Sequence, residues 1–430
     1  MVYYGRKTYM LAFAIIVVFA GALLSSCGKE ENHKREGGQL AITVPYSSYK
    51  EYLESSIVQE FRKVHPDINV TVGYSYNDFK DDFSRDVEGS VLNQLEHTDL
   101  YFGITYAQYD YLKKGDELTD LRTMFQITDF KENKLFNPII EALSEEKRIF
   151  AMPMGFFSNS IAYNVSIFDE LGILYPNERN TWDELYEISE KIVEKSNKKY
   201  SGIVLNDERY NNFGKALDVL SFPLQGDLYE KKGDHVVIKR DKMSYFIDFY
   251  KKGIAGDIIA PRMEDFWNGR AGMGFFNLYD YGAYDNGRVD YKIISAPYFA
   301  GSSNTYVLPG DMFAIPVSSS NKQLAWTFID FAVRNYGPQF DSGSTGWFPV
   351  LQSERLKEQK IGNVPAAPFY QMGTLVKQQV PIYSLDEYFS FNEILHDSFN
   401  QLLSDQITKE QFFRDTADQL TTVYKQMEEE

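Results

Sequence analysis

Residues 40–104 alternate between two hydrophobic periods, and this alternation narrows the fold more than any other feature of the chain. Leu40-Ala41-Ile42-Thr43-Val44-Pro45-Tyr46 reads as a short buried strand. Leu53, Ile57, Phe61 and Val64 come next at helical spacing, and His65-Pro66 ends the run, because a proline disfavours helix at the residue before it. Ile68, Val70, Val72 and Tyr74 then alternate as a strand does, Phe79, Phe83, Val87, Val91 and Leu95 stripe a second helix, and Thr98 to Gly103 supply a third strand. A β-α-β-α-β run predicts a parallel sheet with helices packed on it.

The pattern resumes after residue 150. Ile149 to Gly155 and Asn159 to Asn164 read as strands, as do Tyr200 to Asn206, Gly272 to Phe276, Tyr291 to Pro297 and Met312 to Val317. Thr181-Trp182-Asp183-Glu184 is a T-x-x-E capping box, with Leu185, Ile188 and Ile192 as the apolar stripe behind it. Residues 241–252 read as a helix. Ser320 to Gln323 has the pattern of a second box before Leu324, Phe328 and Phe331, and Thr408-x-x-Gln411 opens a last helix with Phe413, Ala417, Leu420 and Tyr424 on one face. No repeat or low-complexity linker separates the halves, so two α/β lobes joined by more than one chain crossing are expected.

The first 26 residues carry Arg6 and Lys7, then an apolar run from Tyr9 to Leu24, then small residues before Cys27. That order describes a secretory signal, and Leu24-Ser25-Ser26-Cys27 resembles the bacterial lipobox, in which the cysteine is acylated. An uncleaved N-terminal anchor is the alternative. Cys27 is the only cysteine, so no intramolecular disulfide can form. Residues 28–39 are polar and end in glycines, the composition of a flexible tether. Either way the bulk of the chain is expected outside the cytoplasmic membrane. A net charge of −17 repels phosphate backbones and argues against nucleic-acid binding. With 31 Tyr and 32 Phe, the chain has rings for surfaces that need an apolar face and a hydroxyl together.

Catalytic motifs are scarce. There is no H-E-x-x-H and no G-x-S-x-G, and the five histidines are dispersed without metal-ligand spacing. Ser47 to Lys50 and Ser196 to Lys199 match S-x-x-K, with no accompanying S-D-N or K-T-G. Among 61 acidic residues no glycosidase-like pair stands out. Gly269, Gly272 and Gly274 invert the spacing of a dinucleotide fingerprint, and the last two fall inside a strand. They are expected to allow a turn and a close backbone approach. No cofactor, metal or catalytic residue is expected.

Several segments, in order, resemble the extracellular solute-binding proteins of bacterial ABC importers, specifically the maltose-binding-protein-like family. His65 to Val70 is similar to that family's helix-to-strand step, and Thr98 to Phe102 to its third strand. Ala151-Met152-Pro153 with Ile161 to Asn164 and Ile167-Phe168 resembles its first crossing between lobes. Thr181 to Leu185 is similar to its T-W-D/E-E-L helix start. Trp267 to Met273 is similar to its signature of an aromatic, a glycine, a basic residue, alanine and methionine. Asp311 to Pro316 with Ala325 to Phe328 resembles the second crossing and its helix, and Gly346 to Val350 the third.

The resemblance implies an α/β, two-lobed periplasmic-binding-protein-like fold, each lobe a mainly parallel sheet with flanking helices. It divides the chain into a signal peptide (1–26), a tether (27–39), one lobe (40–152 and 311–346) and a second (153–310 and 347–430). It implies a carbohydrate, expected to be an oligosaccharide, held in the cleft between lobes and delivered to ABC permease subunits by hinge closure. The protein itself is expected to be a monomer, lipid-anchored through Cys27 on the extracytoplasmic face of the cell membrane. Loops at the C-terminal ends of strands then supply the ligand residues. These are Tyr46 and Ser47, Thr105 and Tyr106, then Phe156, Phe157 and Asn159 at the first crossing, and Asn277, Tyr279 and Tyr281 after the glycine-rich strand. Asp311 and Trp347 lie at the second and third crossings, and Tyr388 in the C-terminal helices. A lipoprotein enzyme acting on glycans and a surface adhesion or scaffold protein are the competing classes, since fold does not fix function.

Overall fold

The computed structural model describes residues 38–76, 97–104, 106–205, 229–298, 307–335, 347–352, 360–361, 364–370 and 385–429. The expected signal peptide, most of the tether, Cys27 and the apolar stripe over 79–95 lie outside them.

Strand β1 (Gln39–Tyr46) runs straight into helix α1 (Ser47–Leu53), a π turn (Glu54–Val58) and helix α2 (Gln59–Val64). Leu53, Ile57, Val58 and Phe61 are fully buried, whereas Val64 is 62% exposed. The π turn inserts an extra residue and rotates the next helical turn, so the last member of the expected stripe faces solvent. Next come β2 (Asn69–Tyr76), β3 (Leu100–Ile104), α3 (Tyr106–Lys114), α4 (Asn137–Ala142), a hairpin of β4 (Ser144–Glu145) and β5 (Arg148–Ile149), and β6 (Met152–Pro153).

The chain continues through β7 (Gly155–Asn164), α5 (Val165–Leu171), α6 (Trp182–Lys195), β8 (Ser201–Val204), a hairpin of β9 (Tyr229–Lys232) and β10 (His235–Ile238), and α7 (Arg240–Ala255). Then come β11 (Ile259–Ala260), α8 (Met263–Trp267), β12 (Ala271–Asn277), α9 (Leu278–Tyr284), β13 (Tyr291–Ser295), β14 (Val307–Pro309) and β15 (Met312–Ala314). Helix α10 (Lys322–Asn335), β16 (Phe348–Pro349), the pair β17 (Lys360–Ile361) and β18 (Val364–Pro365), α11 (Leu385–Leu403) and α12 (Lys409–Glu429) complete the described elements.

Two sheets organise them. The first has the order β2-β1-β3-β15-β6. The second has the order β11-β8-β12-β7-β13, with β14 and β16 also paired to β7. This is the α/β, two-sheet architecture expected of a two-lobed binding protein. Each sheet is mixed rather than mainly parallel as expected. β1 is parallel to β2 and β3, while β15 is antiparallel to β3 and β6. β8 is parallel to β11 and β12, while β7 is antiparallel to all its partners. Parallel pairs come from the local β-α-β units; antiparallel ones come from strands at the crossings, which meet their sheets in the opposite sense.

Local chemistry sets the helix starts. Thr181 Oγ1 accepts from the Glu184 N–H, and the Glu184 carboxylate accepts the Thr181 N–H at 2.8 Å, completing the capping box of α6. Thr408 and Gln411 do the same before α12. The box expected at Ser320 is displaced: α10 begins at Lys322, and the Ala325 N–H bonds the Asn321 carbonyl, so Asn321 is the cap. In the glycine-rich strand a Cβ on Gly272 would lie 2.5 Å from Ile192 Cδ1 and one on Gly274 2.1 Å from the Phe276 ring, the close approach expected there. The C-terminal helix α12 locks onto β10, where the Val236 N–H donates to Thr421 Oγ1 at 3.0 Å.

Candidate functional site

The three expected crossings are hydrogen-bonded to one another. The Met154 N–H donates to the Asp311 carbonyl (2.9 Å), the Gly310 N–H to the Gly155 carbonyl (2.8 Å) and the Val350 N–H to the Met154 carbonyl (3.1 Å). Residues from three distant parts of the sequence thus form one junction at the start of β7. Gly155 is required there: a Cβ would sit 2.5 Å from the Phe348 carbonyl oxygen and 3.1 Å from Trp347. Backbone cannot yield as a side chain can, so no larger residue fits without moving the third crossing. Trp347, 5% exposed, packs its ring against Phe157 edge-on at 6.0 Å.

The carboxyl of Asp311 lies at this junction. Tyr49 Oη donates to Asp311 Oδ1 at 3.0 Å. The Tyr49 ring packs tilted against Tyr46 (6.4 Å) and Phe102 (6.1 Å). It fills the space over Gly103, where φ is +79° and a Cβ would meet the ring at 2.8 Å. Burial pushes the Asp311 carboxyl up to about 7, and the Tyr49 hydrogen bond pulls the other way. Burial and the neighbouring Asp311 push the Tyr49 phenol up in turn. An acid near neutrality, in contact with a phenol and beside apolar rings, can either donate or accept a hydrogen bond from a ligand.

The other expected residues divide. Tyr46 ends β1 opposite Tyr76, and Ser47 opens α1; both are half-buried at the C-terminal edge of the first sheet. Asn159 is buried on β7, directly across from Asn277 on β12. The Asn277 side chain accepts from the Asp280 N–H at 3.0 Å while the Asp280 carboxylate accepts the Asn277 N–H, so this residue caps α9. Phe156 and Tyr281 are core residues. Phe156 is fully buried, stacked on Phe136 at 4.3 Å and edge-on to Tyr370. Tyr281 stacks on Tyr291 at 5.9 Å and shares a 2.8 Å hydrogen bond with Ser160 Oγ. The strand alternation sends Phe156 inward and leaves Phe157 beside Trp347. Thr105 and the side chains of Tyr106, Tyr279 and Tyr388 lie outside the described residues.

Tyr49 escaped the sequence reading because it stood inside an S-x-x-K match. The signal was its place one turn into the helix after the Tyr46-Ser47 loop. The lysine of that match, Lys50, lies 5.9 Å over the Tyr74 ring, a cation–π contact. Among the described residues no cluster of three or more His, Cys, Asp or Glu side chains is arranged to hold a metal. No described helix is long and apolar enough to cross a membrane.

Solved structures share this architecture. An extracellular solute-binding protein from Alicyclobacillus acidocaldarius superposes with a TM-score of 0.70 at 13% identity, covering 90% of this chain and 98% of its own. An ABC substrate-binding protein from Listeria monocytogenes, in complex with cycloalternan, gives 0.62 at 16% identity over 91% and 99%. The cyclic alpha-maltosyl-1,6-maltose binding protein of Arthrobacter globiformis gives 0.64 at 14% over 90% and 99%. A search of curated proteins returns no match. The family model of the bacterial extracellular solute-binding proteins matches residues 46–335. That span takes in strands of both sheets and well over half of the sequence, and the chain therefore belongs to the bacterial extracellular solute-binding proteins, a family of binding proteins rather than enzymes.

Proposed function

We propose that the protein captures a carbohydrate, an oligosaccharide in particular, between its lobes and delivers it to the permease subunits of an ABC importer by hinge closure. The observation that carries this reading is the crossing junction, where Tyr49 bonds Asp311 and packs on Tyr46, while Trp347, against Phe157, lies beside the preceding Gly310. A pyranose has an apolar face and a rim of hydroxyls. Rings cover the first and a carboxyl or amide bonds the second. Proteins of the same fold whose names give cycloalternan and a cyclic maltosyl-maltose as ligands support a sugar.

On this reading residues 40–152 and 311–346 form one lobe and 153–310 with 347–430 the other. Tyr46, Ser47, Phe157, Asn159, Asp311 and Trp347 face the ligand, joined by Asn277, Thr105, Tyr106, Tyr279 and Tyr388. Phe156 and Tyr281 support the site from behind. The sequence of residues 1–39 supports a lipoprotein signal, an acylated Cys27 and a tether that holds a monomer on the extracytoplasmic face of the cell membrane.

A thermal-shift screen across sugars, amino acids, peptides and polyamines tests the ligand class. A ligand at about 100 times its dissociation constant stabilises by about 2.7 kcal/mol. Oligosaccharides are expected to raise Tm; a shift only with another solute class overturns the carbohydrate assignment.

A further inference from the structure

We infer that Tyr49 is the positioning residue for Asp311, holding its carboxyl in one orientation at the junction of the crossings. The inference deepens the reading of Asp311 as a ligand residue and rests on it. Three observations carry it. First, the Tyr49 hydroxyl reaches Asp311 Oδ1 at 3.0 Å across 262 positions of sequence. Second, the ring has a built seat: Gly103 leaves room for it, with Pro45 beside that glycine and Phe102 and Tyr46 against the ring. Third, the Asp311 backbone is held independently, its carbonyl accepting from Met154 at the first crossing. With the backbone fixed by one crossing and the carboxyl by a phenol on α1, Asp311 keeps a single direction.

Among the described residues, the titratable group acting on Asp311 is Tyr49, and those acting on Tyr49 are Asp311 and Tyr46. The other elements at the junction bring Phe102 and Gly103 from β3, Met154 and Gly155 from the first crossing, and Trp347 from the third. None of these titrates. The phenol donates to the carboxylate form, so it lowers the proton affinity of a carboxyl that burial raises. Losing the hydroxyl alone removes that counterweight and leaves the ring in its seat.

The test is a carbon-13 NMR titration of the Asp311 carboxyl in the ligand-free full chain, with Asp311→Asn identifying the resonance. The wild-type midpoint is expected near 7. In Tyr49→Phe it is expected to move upward by roughly one to two pH units, the scale of one hydrogen bond to a charged acceptor. A thermal melt establishes that both variants fold. A midpoint that stays in place or falls in Tyr49→Phe overturns the inference. A protein that responds to no sugar would overturn the ligand assignment while leaving this titration intact.

Discussion

Asp99 and Ser319, 220 positions apart, are joined by a 2.9 Å hydrogen bond from Ser319 Oγ to Asp99 Oδ1. The same carboxylate accepts from the Asn321 amide and from the Ala41 N–H at 3.0 Å. One side chain at the foot of β3 thereby ties the start of β1 to the segment that leads from the second crossing into α10. Charge-assisted bonds of this kind are worth more than neutral ones, and removing the acceptor leaves the donors unsatisfied. Asp99→Ala is therefore expected to cost about 3 kcal/mol of stability, read as a lower urea midpoint with unchanged slope. A loss within experimental error would mean the tie contributes nothing.

The Asp99 tie also explains what the sequence conceals. The capping boxes at Thr181 and Thr408 were legible because both halves of the motif are local and nothing distant competes for them. The S-x-x-Q at Ser320 is equally well formed in sequence, yet helix α10 is capped at Asn321, whose amide, with the Ser319 hydroxyl, is drawn to Asp99 by tertiary contact. The β-α-β run and the glycine-rich strand were legible because burial imposes their periods. Side-chain direction at the ends of β7 and β12 was not. There a one-residue change of face separates Phe157, beside Trp347, from Phe156 in the core, and tertiary packing rather than pattern decides where Tyr281 goes.

Gly155 predicts a second outcome. A methyl group there meets the Phe348 carbonyl at 2.5 Å, and overpacking of a fixed backbone costs about 1–3 kcal/mol. Gly155→Ala should lower Tm and displace Trp347, visible as a shift in near-ultraviolet circular dichroism. An unchanged near-ultraviolet spectrum would contradict the packing described for the third crossing.

Asp311 gives the stability a pH dependence of defined sign. Its folded-state value of about 7 lies above the ~3.9 of an unfolded aspartate, so the folded chain binds more protons between the two. Its contribution is full below about pH 4 and is lost as pH rises through about 7. Asp311→Asn should remove that slope, so that Tm relative to wild type increases from pH 5 to about pH 8. Parallel curves for the two proteins would show that the carboxyl is not enclosed.

Trp347 supplies an optical and energetic reporter. The chain has four tryptophans, and Trp182, Trp267 and Trp326 are among its largest fully buried side chains. A ligand at the crossings should change the fluorescence of Trp347 alone. Trp347→Leu should abolish that change and weaken binding by about 2 kcal/mol, the scale of an aromatic hot spot, or about thirtyfold. A fluorescence change that survives the substitution would place the ligand elsewhere.

A sugar held between the lobes at the crossings, as we propose, draws the lobes together. Small-angle X-ray scattering tests this most directly, comparing the free protein with the protein saturated by the oligosaccharide of largest thermal shift. The expected result is a smaller radius of gyration in the complex for wild type, and a smaller decrease for Trp347→Leu at the same sugar concentration. A radius that stays constant while calorimetry shows the wild-type site to be full would contradict the claim.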